Sequence, residues 1–168
     1  MTGGSAPTLG RLDDRVVVVT GAGASGEGIG NGKACAIHYA REGARVVAVD
    51  INENAVAETA NIITEEGNSV LTQLCDVTDN SSVSAMVTAA LHAFGRIDVL
   101  HNNVGILDLN GPVSLPEASW DKVIDTNIKS MFLTCKHVLP VMEKQGKGVI
   151  VNISSVAGIR YWGTPAIA

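Results

Sequence analysis

The chain has 168 residues, 46% of them hydrophobic and 17% charged, and a formal net charge of -5. That apolar share can fill the core of one domain and excludes disorder, while the acidic balance leaves no basic face for a phosphate backbone and so excludes nucleic acid as a main partner. Cys35, Cys75 and Cys135 are odd in number and far apart, with no C-x-x-C spacing, so they read as buried free thiols of a reducing compartment. Residues 1–11 are polar and expected to be flexible ahead of one domain over 12–168. With no apolar leader and no run near the ~18 apolar residues of a membrane span, the expectation is a cytoplasmic protein without membrane contact.

In chain order, short β-branched runs alternate with longer stretches of helical spacing, the pattern of a parallel sheet covered on both faces. Val16 to Thr20 is an apolar run too short for a helix and predicts a central buried strand. A helix over about 31–42 carries the apolar stripe Ala34, Ile37 and Ala40 and stops at Gly43. Arg45 to Asp50 gives a second strand, and Asn52 caps a helix that ends before Gly67. Residues 69–75 form a third strand. Asp79 opens a helix with Val83, Met86, Val87, Ala90 and Phe94 on one face. Residues 97–102 form a fourth strand. A long helix over about 116–143 is expected to bend at Pro140, and residues 146–154 form a fifth strand. The fold class is therefore α/β, a Rossmann-type doubly wound parallel sheet with five strands and four helices.

The strongest local signal is the turn from Thr20 to Gly32, in which six of thirteen residues are glycine. A glycine-rich turn at a helix N-terminus lets backbone N–H groups approach a pyrophosphate, and the helix dipole favours its charge. Flexible surface loops share this composition. Context separates the two: a buried strand precedes, a helix follows, and Asp50 ends the next strand 20 residues after Gly30. An acidic residue there accepts hydrogen bonds from ribose hydroxyls and repels a 2′-phosphate, which favours NAD over NADP. Taken alone, Asp50 is as readily a solvated strand-end carboxylate or a helix cap.

With these features and four further segments in order, the sequence resembles the short-chain dehydrogenase/reductase family. That family's glycine motif is Thr-Gly, three residues, then Gly-x-Gly. Counting back from Glu42-Gly43 places Gly30-Asn31-Gly32 on the Gly-x-Gly, with eight residues between Gly21 and Gly30, so the turn is enlarged by about five residues. The resemblance implies that Gly21, Ser25, Gly30, Asn31 and Gly32 lie along the cofactor phosphates. It places Asp50 and Ile51 at the adenosine and Asp76-Val77 at the adenine ring. His101-Asn-Asn-Val-Gly105 resembles the family's Asn-Asn-Ala-Gly, with Asn102 holding neighbouring strands and Asn103, Val104 and Gly105 along the nicotinamide ribose. Asn127 matches the helix Asn that holds a water of the proton relay, and Ser155 matches the catalytic Ser that binds the substrate oxygen. By themselves a strand-ending Asn-Asn is an ordinary turn signal and a lone helical Asn an exposed polar position.

The resemblance implies hydride exchange between NAD and a small-molecule alcohol or carbonyl compound. It also implies a Tyr about 13 or 14 residues after Ser155, followed by three residues and a Lys. That count reaches the end of the chain at Ala168; Tyr161 has Pro165 four residues on and no Lys after it. The expectations are a partial chain with little or no activity by itself, an apolar fifth strand left open, poor solubility, and a mobile stretch over 156–168. The complete chain is expected to form a homodimer or homotetramer. A non-catalytic NAD-binding sensor or partner module is the alternative. Another doubly wound domain, such as a methyltransferase, shares the glycine turn and leaves the Asn-Asn-Val-Gly and Ser-Ser-Val-Ala-Gly segments unexplained.

Overall fold

The structure is a computed structural model that describes residues 10–24, 26 and 28–160. Five strands, β1 (Val16–Thr20), β2 (Arg45–Asp50), β3 (Val70–Leu74), β4 (Val99–Asn102) and β5 (Val149–Asn152), form one parallel sheet in the order β3-β2-β1-β4-β5. The helices are α1 (Asn31–Arg41), α2 (Glu53–Glu65), α3 (Asn80–Phe94), α4 (Glu117–Ile124) and α5 (Ser130–Gln145).

The alternation of side chains along a strand explains why β1 reads as an unbroken apolar run. Val16 and Val18, with Val47 and Val49 of β2, pack against Val83, Met86, Val87 and Ala90 of α3 and against Leu133, Val138 and Met142 of α5. Val17 and Val19, with Val46 and Ala48, pack on the other face against Ala36, Ile37 and Ala40 of α1 and Val56 and Ile63 of α2. Each fully buried valine contributes about 1.5–3 kcal/mol relative to exposure, so β1 and β2 anchor both half-cores. The helix starts follow the sequence: Asn52 Oδ1 accepts from Ala55 N at 3.1 Å, and Asp79 Oδ1 accepts from Ser82 N at 2.7 Å.

Three expectations are corrected. The helix after the fourth strand is not interrupted at Pro140, which lies inside α5; it departs from α geometry in a π-helical turn at Asp125–Lys129. There Ser130 Oγ donates to the Thr126 carbonyl at 2.5 Å, taking up an acceptor of the widened turn. Of the cysteines only Cys75 is fully buried, Cys35 and Cys135 being half-buried; burial pushes all three thiols up. The third, fourth and fifth strands are also shorter than their apolar runs, because pairing stops where the neighbouring strand ends.

β5 lies at the edge of the sheet, with Val149 and Ile153 exposed, as the apolar run implied. The expected mobile stretch is described only to residue 160, with a 3-10 turn at Val156–Gly158; residues 161–168, Tyr161 and Trp162 included, lie outside the described residues, as do residues 1–9.

Candidate active site at the carboxyl ends of the strands

After β1 the chain turns onto the α1 face, and after β4 it passes to the face covered by α5, so the connections part between these two neighbours. The crevice beyond their carboxyl ends is where an open α/β sheet binds ligands. Thr20, the last residue of β1, bridges it: its Oγ1 donates to the His101 carbonyl at 3.4 Å and accepts from Asn103 N at 3.2 Å. Asn103 Nδ2 in turn donates to the Gly21 carbonyl at 3.1 Å. In the sequence Thr20 is a hydroxyl closing an apolar run, a signal that carries no role until the partners of β1 are in place.

The counted register of the enlarged turn agrees with the geometry. A Cβ on Gly32 would collide with the Gly21 carbonyl oxygen and the Asn103 amide, so only glycine lets the first turn of α1 approach the end of β1. Gly30 is the N-cap of α1 and supplies no side-chain acceptor, so the first N–H groups of the helix lack the side-chain caps that Asn52 and Asp79 give α2 and α3. A Cβ on Gly30 would lie 3.7 Å from the Gly23 carbonyl oxygen and 3.8 Å from Ala24 Cα. Gly30 therefore stands beside Gly23 and Ala24, so the described ends of the enlarged segment meet. Around Gly26 and Gly28 a Cβ would have open space, and Ile29 is 68% exposed. Ser25 lies outside the described residues.

Asp50 stands across the corner. Its Oδ2 accepts from Gly23 N at 2.9 Å and its Oδ1 from Asn52 N at 3.0 Å, which orients the carboxylate while leaving it lone pairs. A Cβ on Gly23 would lie 2.6 Å from Ala55 Cβ, and Thr59 Oγ1 donates to the Ala22 carbonyl at 2.7 Å, so α2 braces the turn. Ile51 is exposed beside Asp50. After β3, Asp76 Oδ1 accepts from Thr78 N and Thr78 Oγ1 at 2.9 and 2.7 Å, whereas the Val77 side chain is buried in the core.

Beyond β4, Asn102 ties three elements together: Nδ2 donates to Asn152 Oδ1 at 2.9 Å, and Oδ1 accepts from Thr134 Oγ1 at 2.8 Å. Val104 packs near Gly21, and Gly105 faces Asn127 across the loop. Asn127, in the π-helical turn, donates to the Ile106 carbonyl and accepts from Ile106 N. Past β5 the ladder continues with Ile153 N donating to the Asn102 carbonyl, and exposed Ser155 follows, its carbonyl accepting from Gly158 N at 3.0 Å. The glycine turn, Asp50, Asp76, Asn103 and Ser155 thus follow the carboxyl ends of strands spread from β3 at one edge of the sheet to β5 at the other, and Asn127 is held against the loop after β4.

A family model described as short chain dehydrogenase matches residues 15–166. The chain belongs to the short-chain dehydrogenase family. It is 41% identical over 163 residues to levodione reductase of Leifsonia aquatica, covering 95% of this chain and 59% of that protein. A crystal structure from Burkholderia xenovorans, described as a short-chain dehydrogenase/reductase, superposes with a TM-score of 0.90 at 48% identity, covering 92% of this chain and 62% of that one. A 7α-hydroxysteroid dehydrogenase complexed with NADH and 7-oxo glycochenodeoxycholic acid superposes with a TM-score of 0.82 at 36% identity, covering 90% and 57%. The chain therefore spans about three fifths of the length of these relatives.

Membership accounts for the parallel sheet and the packed Gly-x-Gly, and leaves other features of this short-chain dehydrogenase to be read from its own residues. His101 is buried, with Nδ1 2.9 Å from the Tyr39 hydroxyl; burial lowers its pKa, and its Nε2 has no hydrogen-bond partner among the described residues. Lys33, in the first turn of α1, is buried and pairs with Glu58 of α2. Nothing in the sequence marks Lys33 as buried, because a lysine after a glycine turn reads as solvated surface. Among the described residues no cluster of three or more His, Cys, Asp or Glu could hold a metal ion, and no helix is long and apolar enough to cross a membrane.

Proposed function

We propose that this chain forms the dinucleotide-binding part of an oxidoreductase that interconverts a small-molecule alcohol and its ketone or aldehyde with NAD(H). The observation that carries this reading is the pairing of an uncapped α1 N-terminus with the oriented Asp50 carboxylate across one glycine-rich corner. The close approach at Gly32 seats the first turn of α1 on the end of β1, which brings its N–H groups to the corner where a pyrophosphate would bind.

In this reading Ser25 and the backbone at Gly21, Gly30, Asn31 and Gly32 hold the phosphates. Asp50 accepts from the adenosine ribose hydroxyls and disfavours a 2′-phosphate. Ile51, Asp76 and the backbone of Val77 border the adenine, and Asn103, Val104 and Gly105 the nicotinamide ribose. The cofactor supplies hydride donation and acceptance. Ser155 hydrogen-bonds the substrate oxygen. Asn127 holds the water that passes a proton toward solvent, its own amide being fixed by Ile106. Residues 1–168 contain no Tyr-x-x-x-Lys after Ser155, so by themselves they bind NAD(H) and turn over little or nothing. The NADH and 7-oxo glycochenodeoxycholic acid bound to the 7α-hydroxysteroid dehydrogenase relative, and the likeness to levodione reductase, support the cofactor and reaction class. Exposed Ile128, Phe132 and Leu139 on and beside α5 support a homodimer or homotetramer of the complete protein.

The test is titration of the full-length protein with NADH and NADPH, followed by nicotinamide fluorescence. NADH should bind at least ~10-fold more tightly, and Asp50→Asn should narrow that gap, consistent with loss of about 1.4 kcal/mol of discrimination. Equal binding of the two cofactors would refute the NAD assignment.

A further inference from the structure

Lys33 occupies an unfavourable place for a lysine. It is the third residue of α1, where the helix dipole presents positive partial charge, and its side chain is only 8% exposed. A buried ammonium needs a counter-charge, and Glu58 Oε2 supplies one at 3.2 Å from a side chain that is itself 69% exposed. Glu58 lies one turn along α2 from Ala55, the residue against which Gly23 packs, and Gly23 N is held by Asp50. The Lys33–Glu58 pair, the Asp50 carboxylate and the uncapped end of α1 therefore border the same corner. Residues three apart on a helix are neighbours, so Glu58 draws the Lys33 ammonium toward the α2 side of that corner.

Resting on the NAD reading above, we propose that the Lys33–Glu58 pair is a second determinant of cofactor selectivity: Glu58 withholds the Lys33 ammonium from the position a 2′-phosphate would take. A doubly charged 2′-phosphate beside Asp50 meets the carboxylates of Asp50 and Glu58 while the Lys33 ammonium stays paired with Glu58. Removing the Glu58 charge leaves Lys33 buried without a counter-ion, on a flexible four-carbon stem that can turn to the phosphate. A 2′-hydroxyl carries no charge for Lys33 to meet, so NADH binding is nearly indifferent to the change. A pair that only staples α1 to α2 would alter stability while leaving the ratio of the two affinities unchanged.

The experiment measures the dissociation constants of NADH and NADPH on the full-length protein and on Glu58→Gln, Glu58→Ala, Lys33→Met and the Glu58→Gln/Lys33→Met double variant, at low and high salt. Both Glu58 variants should bind NADPH about 10-fold more tightly with NADH within about twofold, and the gain should shrink in high salt and vanish in the double variant. An unchanged NADPH/NADH ratio in the Glu58 variants, or a gain that survives Lys33→Met, overturns the proposal. The NAD reading fails separately, if the parent protein binds NADPH as tightly as NADH.

Discussion

The side-chain amide of Asn127 exchanges two hydrogen bonds with the backbone of Ile106, Nδ2 donating to its carbonyl at 2.9 Å and Oδ1 accepting from its N–H at 2.8 Å. The exchange ties the π-helical turn to the loop that leaves β4. Asn127→Asp keeps the acceptor, loses the donor and sets a carboxylate against a carbonyl, so it should destabilise by about 1–3 kcal/mol. Urea unfolding of the variant measures the loss. A change under about 0.5 kcal/mol would mean that the loop holds its shape without Asn127.

Glycine substitutions along the enlarged turn should divide sharply. Gly32→Ala places a methyl into the Gly21 carbonyl and should cost about 1–3 kcal/mol and weaken NADH binding, since α1 must move back. Gly26→Ala meets open space and should leave both unchanged. Thermal unfolding and NADH titration of the pair check the register: equal losses would mean that the turn is threaded differently.

Asp98 predicts acid sensitivity. Burial raises its carboxyl, but the Arg96 guanidinium at 2.7 Å, the Val16 N–H and Arg15 outweigh that effect and hold it below the ordinary carboxylate range. A depressed folded-state pKa gives stability that is present above the unfolded value and lost as pH falls through the folded one, so the loss lies below about pH 4. Asp98→Asn should lower stability at pH 7 by up to about 3 kcal/mol, less than for a fully buried pair because Arg15 and Arg96 reach solvent. It should also flatten the acid limb of a stability–pH curve. An unchanged limb would assign acid unfolding to other carboxylates.

Tyr39 and His101 test the cost of an orphaned buried group. Tyr39→Phe leaves both ring nitrogens of His101 unpartnered among the described residues and should cost about 1–3 kcal/mol. The double change Tyr39→Phe/His101→Leu removes both polar partners and should recover much of that loss in chemical denaturation. If the double variant is less stable than the single, the imidazole is held by more than Tyr39.

The sequence made legible what local chemistry determines. The valines of β1 and β2 sit on both faces of a covered sheet, so their runs needed no knowledge of neighbours; Asn52 and Asp79 cap their own helices; and counting from Glu42-Gly43 located the packed glycine, Gly32. What escaped depends on contacts between distant segments. Pro140 carries a local signal for a bend, yet the helix departs from α geometry at Asp125–Lys129, where Asn127 meets a backbone 21 residues away. The burial of Lys33 follows from the position of α2, and the half-exposure of Cys35 and Cys135 from which helix faces the sheet leaves uncovered. Asp50 was found by spacing, but its orientation by Gly23 and Asn52 is a property of the folded corner.

The meeting of Ala24 and Gly30 separates the length of the segment between them from the geometry of the corner. Once two ends of a loop stand together, each doubling of its length costs only about 0.6 kcal/mol of closure entropy. The exposed Gly28–Ile29 stretch is therefore a natural graft site: a peptide epitope or a fluorescent reporter spliced there would stand beside the crevice, and its signal would report occupancy while Gly21, Gly32 and Asp50 keep their places.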